Sequence, residues 1–241
     1  MSDLSTSQII EDMHGWSGLT AEFRALFETF EGRMDAMSNS LLSKVYINSQ
    51  AGDDEALGGE TTPVQTLAEA VSRIPAGAFG TIIFKTSVTV AEKIDTRARG
   101  LLFEAYPTVA AALRSDWWVG EDGLQYPGQI NFAGSYGSVG FHGVGLHFEE
   151  RPAGTRGDPY ACGVFVTNSL TPPLFCGFFQ CAITRDAGAD AFLIAGSSDT
   201  STLNVATSVT YSSAMNGYWF AGVPAGTART STRYNTNITS L

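Results

Sequence analysis

The segment Asp116-Trp117-Trp118-Val119-Gly120-Glu121-Asp122-Gly123-Leu124-Gln125-Tyr126-Pro127 gathers two tryptophans, a tyrosine and three carboxylates between glycine turns. Exposed indole faces stack on sugar rings, and nearby carboxylates accept hydrogen bonds from sugar hydroxyls. Asp116, Trp117, Trp118, Glu121, Asp122 and Tyr126 are therefore the candidate carbohydrate ligands. The competing expectation for this segment is burial of one or both tryptophans in the core or an interface. Asp53, Asp54 and Glu55 could gather a cation, but they lack the spacing of an EF-hand loop. His142 and His147 are five apart, so on one continuous strand they face opposite sides, and neither a metal site nor a cofactor is expected. Nucleophile elbows, phosphate loops and His-Glu-x-x-His zinc motifs are absent from the chain, so no catalytic residue is named. Three cysteines at irregular spacing, Cys162, Cys176 and Cys181, read as buried small hydrophobes of a protein made in a reducing cytoplasm.

Composition limits what can position these groups. The 241 residues are 44% hydrophobic and 11% aromatic but only 16% charged, against about 25% charged in an average domain. Such a chain folds rather than staying disordered. Its net charge of −10 excludes a general phosphate-backbone binder. No apolar run is long enough for a transmembrane helix, and the acidic, polar start does not resemble a secretory signal. Glycine is abundant, at 26 residues, and suits a turn-rich body. Charge also divides the chain. Residues 1–70 hold 12 of the 24 acidic residues and only 3 of the 14 basic ones, and no acidic residue follows Asp199.

Two regions are expected, 1–43 and 44–241. In the first, Ile9, Met13, Trp16, Thr20, Phe23, Phe27, Phe30, Met34, Met37 and Leu41 recur in alternating steps of four and three. That is the spacing of a heptad seam, and it predicts an N-terminal helical segment interrupted near Gly15 and Gly18. Phe23, Phe27, Phe30, Met34, Met37 and Leu41 are the candidate oligomerisation or attachment residues. The alternative is an amphipathic helix lying on its own domain.

The second region reads as short strands. Lys44–Asn48 opens it, a helix near 63–73 follows, and about thirteen strand-like segments of three to six residues come after, each ending at Gly, Asn, Asp, Ser or Pro. Helical periodicity returns only at Val109–Arg114, where a short helix is allowed. The fold class is mostly β, as a β-solenoid or a β-sandwich. A sandwich predicts hairpins and strict apolar/polar alternation, whereas a solenoid predicts inward ladders of Val, Ile, Leu and Phe. Tyr218-Trp219-Phe220 reads as the last of these strand-like segments and as core or interface. The tail from Thr227 reads as polar β structure that could not fold alone and needs partners from copies or from the body.

Val45-Tyr46-Ile47-Asn48, Gly52-Asp53-Asp54, the Gly58-Gly59 loop and Pro63-Val64-Gln65-Thr66-Leu67-Ala68-Glu69-Ala70-Val71 together resemble the opening of bacteriophage tail-spike and tail-fibre domains, best over residues 44–106. The resemblance implies a right-handed parallel β-helix whose first coil is capped by the 63–73 helix, usually in a homotrimer. It implies a virion structural protein, made in the host cytoplasm, that touches a host-surface glycan and joins other virion proteins through its N-terminal helices. No nucleic acid or membrane insertion is expected. Members of that family often cleave polysaccharide with carboxylates on adjacent coils. Glycoside hydrolysis needs two carboxyls about 5–9.5 Å apart. Asp116, Glu121, Asp122, Glu149, Glu150, Asp158, Asp186, Asp190 and Asp199 are candidates, each of which could equally satisfy turn amides. A polysaccharide depolymerase and a passive fibre or connector without a ligand are the alternatives to an adhesin.

Overall fold

The chain forms strands because apolar residues alternate with polar ones over short stretches, and each stretch ends where glycine or a polar residue lets the backbone turn. The computed structural model describes residues 42–133, 137–167, 174–196, 201–227 and 234–238. The seam through Phe23, Phe27, Phe30, Met34, Met37 and Leu41 lies outside them, as does Asp199.

Three parallel sheets are visited in a fixed order. β1 (Leu42–Ile47) pairs with β2 (Phe79–Phe84) in the first sheet. β3 (Val88–Val90) then enters the second sheet and β4 (Lys93–Thr96) the third. β5 (Gly100–Ala105) returns beside β2, and β6 (Ala112–Ser115) beside β3. An antiparallel hairpin of β7 (Trp117–Val119) and β8 (Gln125–Pro127) interrupts the pass before β9 (Gln129–Phe132) joins β4. The next pass runs β10 (Gly137–His142), β11 (Gly145–Phe148) and β12 (Gly163–Thr167). After it come β13 (Leu174–Phe179), β14 (Ala182–Arg185) and β15 (Phe192–Gly196). β16 (Ser201–Val205), β17 (Thr210–Tyr211) and the single bridge Ile194↔Phe220 make the last pass, and β18 (Tyr234–Thr236) closes the first sheet. Every pairing in these three sheets is parallel, unlike the hairpins of a sandwich.

Parallel register stacks like on like. Ile82, Phe103, Phe141, Phe178 and Val205 are successive partners across the first sheet, and all are buried. The Phe103 and Phe141 rings lie 5.0 Å apart, and Phe141 stacks on Phe178 at 4.8 Å. In the third sheet, Ile94, Ile130, Phe165 and Ile194 form a second buried ladder. Each such side chain contributes about 1.5–3 kcal/mol by leaving water. Cys162, Cys176 and Cys181 are free and buried, and burial pushes the Cys162 and Cys181 thiols up to about 11.

The entrance has its own logic. α1 (Leu67–Ser72) buries Leu67, Ala70 and Val71 and packs on β1, β2 and β4. Its N-cap is Thr66, whose hydroxyl accepts from the Glu69 amide, so Pro63 precedes the helix rather than sitting in its first turn. Val64 instead bridges to Ile47. Asp54 takes the amides of Gln65 and Thr66 and the Thr66 hydroxyl, each at 2.8 Å. Burial opposes its ionisation, but those hydrogen bonds and Arg73 outweigh it and hold the carboxyl below its usual range. A Cβ at Gly52 would collide with the carbonyl oxygens of Val64 and Asn48, so only glycine fits there.

Two expectations are corrected. Val109–Arg114 is not a helix: Ala112–Ser115 is β6, held between β3 and β11. Pairing on both edges outweighs the helical preference of Ala-Ala-Leu-Arg, which amounts to only tenths of a kcal/mol per residue. Tyr218–Phe220 is not a ladder strand, although Trp219 and Phe220 are core residues as expected. The strand at Lys93–Thr96 carries too few apolar residues to show a pattern in the sequence, whereas Tyr234–Thr236 lies in the polar tail expected to be β.

Candidate functional site

The aromatic hairpin brings most of its candidate residues together. Gly120 accepts from Gly123 and donates to Leu124, closing the turn, and Gly123 sits at φ 74, where glycine is unstrained. Trp118 opposes Tyr126 across the two strands, with ring centroids 5.5 Å apart. The Trp118 indole N–H donates to the Pro127 carbonyl. Tyr126 donates its hydroxyl to Asp122 at 2.6 Å, and that bond pushes the phenol up to about 12 while holding the Asp122 carboxyl low. The backbone at Gly157 lies against the Tyr126 ring and would not admit a Cβ. Glu121 and Asp122 are exposed at the tip.

Trp117 must be removed from this platform. Alternation turns it inward, it is 8% exposed, and its N–H donates to the Glu149 carbonyl. Its ring therefore anchors the hairpin and has no open face for a sugar. Asp116 accepts from the Trp117 amide at 2.7 Å and stands at the hairpin's base, away from the tip.

A second constellation lies beside that base, on the outer face of the second sheet. Period-two alternation puts Arg114 and Asp116 on one side, as it does His147 and Glu149, and Thr184 and Asp186. Parallel register aligns Arg114 with His147 and His147 with Thr184. The ladder continues beyond the strands, since the Glu149 amide donates to the Ser115 carbonyl and the Asp186 amide to that of Phe148. A carboxylate therefore follows the second-sheet strand in each of three successive passes. Arg114 donates to Glu149 Oε1 at 2.9 Å. His147 Nδ1 lies 2.8 Å from the Thr184 hydroxyl. His147 Nε2 lies 3.5 Å from Glu149 Oε2 and 3.6 Å from Asp186 Oδ1. One ligand atom from each of these three residues falls within 4.8 Å of the others.

Parity between His142 and His147 does not apply, because Gly143 at φ 73 breaks the strand and places them in different sheets. The array was legible only as a short repeat, Arg-x-Asp, His-x-Glu and Thr-x-Asp, each following a small-Leu or small-Ile pair at the same point of a pass. Without the register those tripeptides look unrelated.

Four other carboxylates serve local structure. Asp53 accepts from Glu55, Asp54 from the start of α1, and Asp158 from Tyr160. Asp190 pairs with Arg156 and Arg151. Glu150 is exposed beside Gly188.

A third surface is apolar. On the outer face of the first sheet, Phe79, Leu102, Phe175 and Phe179 are all more than a third exposed. They surround a shallow groove floored by Gly100, Gly140 and Gly177. Comparison of the chain with protein-family models, curated proteins and solved structures finds no match in any of the three.

Proposed function

We propose that this chain is a virion structural protein of the bacteriophage tail-spike or tail-fibre type, built as a right-handed parallel β-helix, that contacts the host surface and binds carbohydrate. The observation that carries the reading is the cyclic return of the chain through three parallel sheets, with one hairpin set aside to carry Trp118, Tyr126, Glu121 and Asp122 at the surface. Right-handed crossovers are the rule for parallel strands. A rigid scaffold with an aromatic and acidic loop suits sugar recognition, because stacking and hydroxyl-directed hydrogen bonds come from one element. The apolar outer face of the first sheet suits copies of the chain packed as a homotrimer, and the heptad seam in residues 1–43 suits attachment to other virion proteins. The test is binding of the full chain to an array of bacterial surface polysaccharides. Binding that disappears in Trp118→Ala, with the circular dichroism spectrum unchanged, supports the adhesin. Array silence together with intact assembly into particles favours a passive connector instead.

A second reading, a polysaccharide-cleaving enzyme on the same scaffold, has one observation behind it: the Glu149 and Asp186 oxygens lie within 4.8 Å of one another. Of the two geometries of glycoside hydrolysis, so close a pair is nearer to the retaining one, with carboxyl groups about 5–5.5 Å apart, than to the inverting one. Release of reducing sugar by the full chain, abolished in Glu149→Gln, would establish it. No release from any polysaccharide that the chain binds would exclude it.

A further inference from the structure

We propose that His147, Glu149 and Asp186 bind one divalent transition-metal ion of the zinc class. The three residues come from two successive passes, so the ion would tie β11 and β14 together at their exits. Each residue has one donor atom already held and one left over. His147 Nδ1 is engaged by the Thr184 hydroxyl, leaving Nε2. Glu149 Oε1 takes the Arg114 guanidinium, leaving Oε2. Asp186 Oδ2 takes the Glu150 amide at 3.2 Å, leaving Oδ1. The three leftover atoms are the ones that converge, with Nε2 at 3.5 Å from Oε2 and 3.6 Å from Oδ1.

Those separations exceed an ordinary N–H···O bond of roughly 2.7–3.2 Å. They match the edge of a coordination tetrahedron, roughly 3.4 Å for bonds of about 2.0–2.1 Å. The outer partners also have the form that metal sites use, with the second histidine nitrogen and the spare carboxylate oxygens each fixed by hydrogen bonding. An imidazole beside two carboxylates selects a borderline ion over Ca²⁺ or Mg²⁺, which prefer all-oxygen shells. Three protein donors leave a fourth position for water.

This inference is independent of glycan binding by the hairpin, and it assigns Glu149 and Asp186 a role different from acid–base catalysis. The test titrates the EDTA-treated full chain with Zn²⁺ in a calorimeter and with Co²⁺ in a visible spectrophotometer. One ion per chain is expected, with the intense visible absorption of tetrahedral Co²⁺. His147→Ala and Asp186→Asn should each weaken binding at least 100-fold, Thr184→Val by about 10–100-fold, and His142→Ala not at all. Far-UV circular dichroism checks that each variant is folded. Absence of heat and of visible absorption with the unaltered chain would overturn the proposal. So would unchanged affinity in folded His147→Ala, because the ion would then be bound elsewhere.

Discussion

At the scale of single residues, the strongest determinants are those whose neighbours leave no alternative. Phe141 is fully buried between Phe103 and Phe178, and its removal opens a cavity in the middle of the ladder. Phe141→Ala should cost about 3–5 kcal/mol in a urea titration, against under about 1 kcal/mol for exposed Val119→Ala. Asp54 acts through hydrogen bonds instead. Its carboxylate receives three donors at the start of α1, and Asp54→Ala should cost about 1–2 kcal/mol at pH 7. Because its folded value is lowered, its contribution is fully present above the unfolded carboxylate value of about 3.9 and is lost as pH falls through the folded value. The difference between wild type and Asp54→Ala should therefore shrink in urea titrations carried from pH 5 towards pH 2. A persistent gap at the lowest pH would mean that the carboxylate's charge is not what matters.

At the scale of elements, the hairpin and the final strand show two ways of attaching weakly patterned segments. The hairpin is pinned by Trp117, which lies in the core and bonds the Glu149 carbonyl, so Trp117→Ala should loosen the whole β7–β8 unit. Hydrogen exchange at Trp118 and Tyr126 should accelerate in Trp117→Ala but not in Glu121→Ala, which alters only the exposed tip. β18 has little apolar content, yet it extends the first sheet beside β16. Asn237 continues the ladder beyond the strand, accepting from the Val205 amide and donating to its carbonyl. Its side-chain amide thereby imitates one more peptide pair. Asn237→Ala should cost about 1–3 kcal/mol by leaving that pair unmet, detectable as a lower thermal midpoint.

At the scale of the whole molecule, sheet edges and exposed outer faces are the surfaces that a second copy of the chain would use. Among the described residues β18 ends the order of the first sheet, and α1 packs at the opposite end, on β1, β2 and β4. If copies pack through the groove ringed by Phe79, Leu102, Phe175 and Phe179, charge introduced there should disrupt the assembly. Phe175→Asp combined with Phe179→Asp should lower the mass measured by light scattering from a trimer to a monomer. An unchanged trimeric mass would place the contact elsewhere, and a monomeric wild type would remove the assembly from the proposal.

The amino-acid sequence alone determined that the chain is mostly β and that its strands are short. It also marked the entry segment with Gly52, Asp54, Thr66 and a brief helix, because these features depend on residues close in sequence: alternation, turn chemistry and a cap. Tertiary structure decided the rest. It turned Ala112–Ser115 into a strand, sent Trp117 inward while leaving Trp118 at the surface, and set His147 against Glu149 and Asp186. The first depends on pairing with β3 and β11, the second on how the hairpin docks against the Glu149 carbonyl, and the third on register between passes more than thirty residues apart. A single period-two segment specifies which residues share its face, but only the neighbouring strand fixes which residues on the next pass lie beside them.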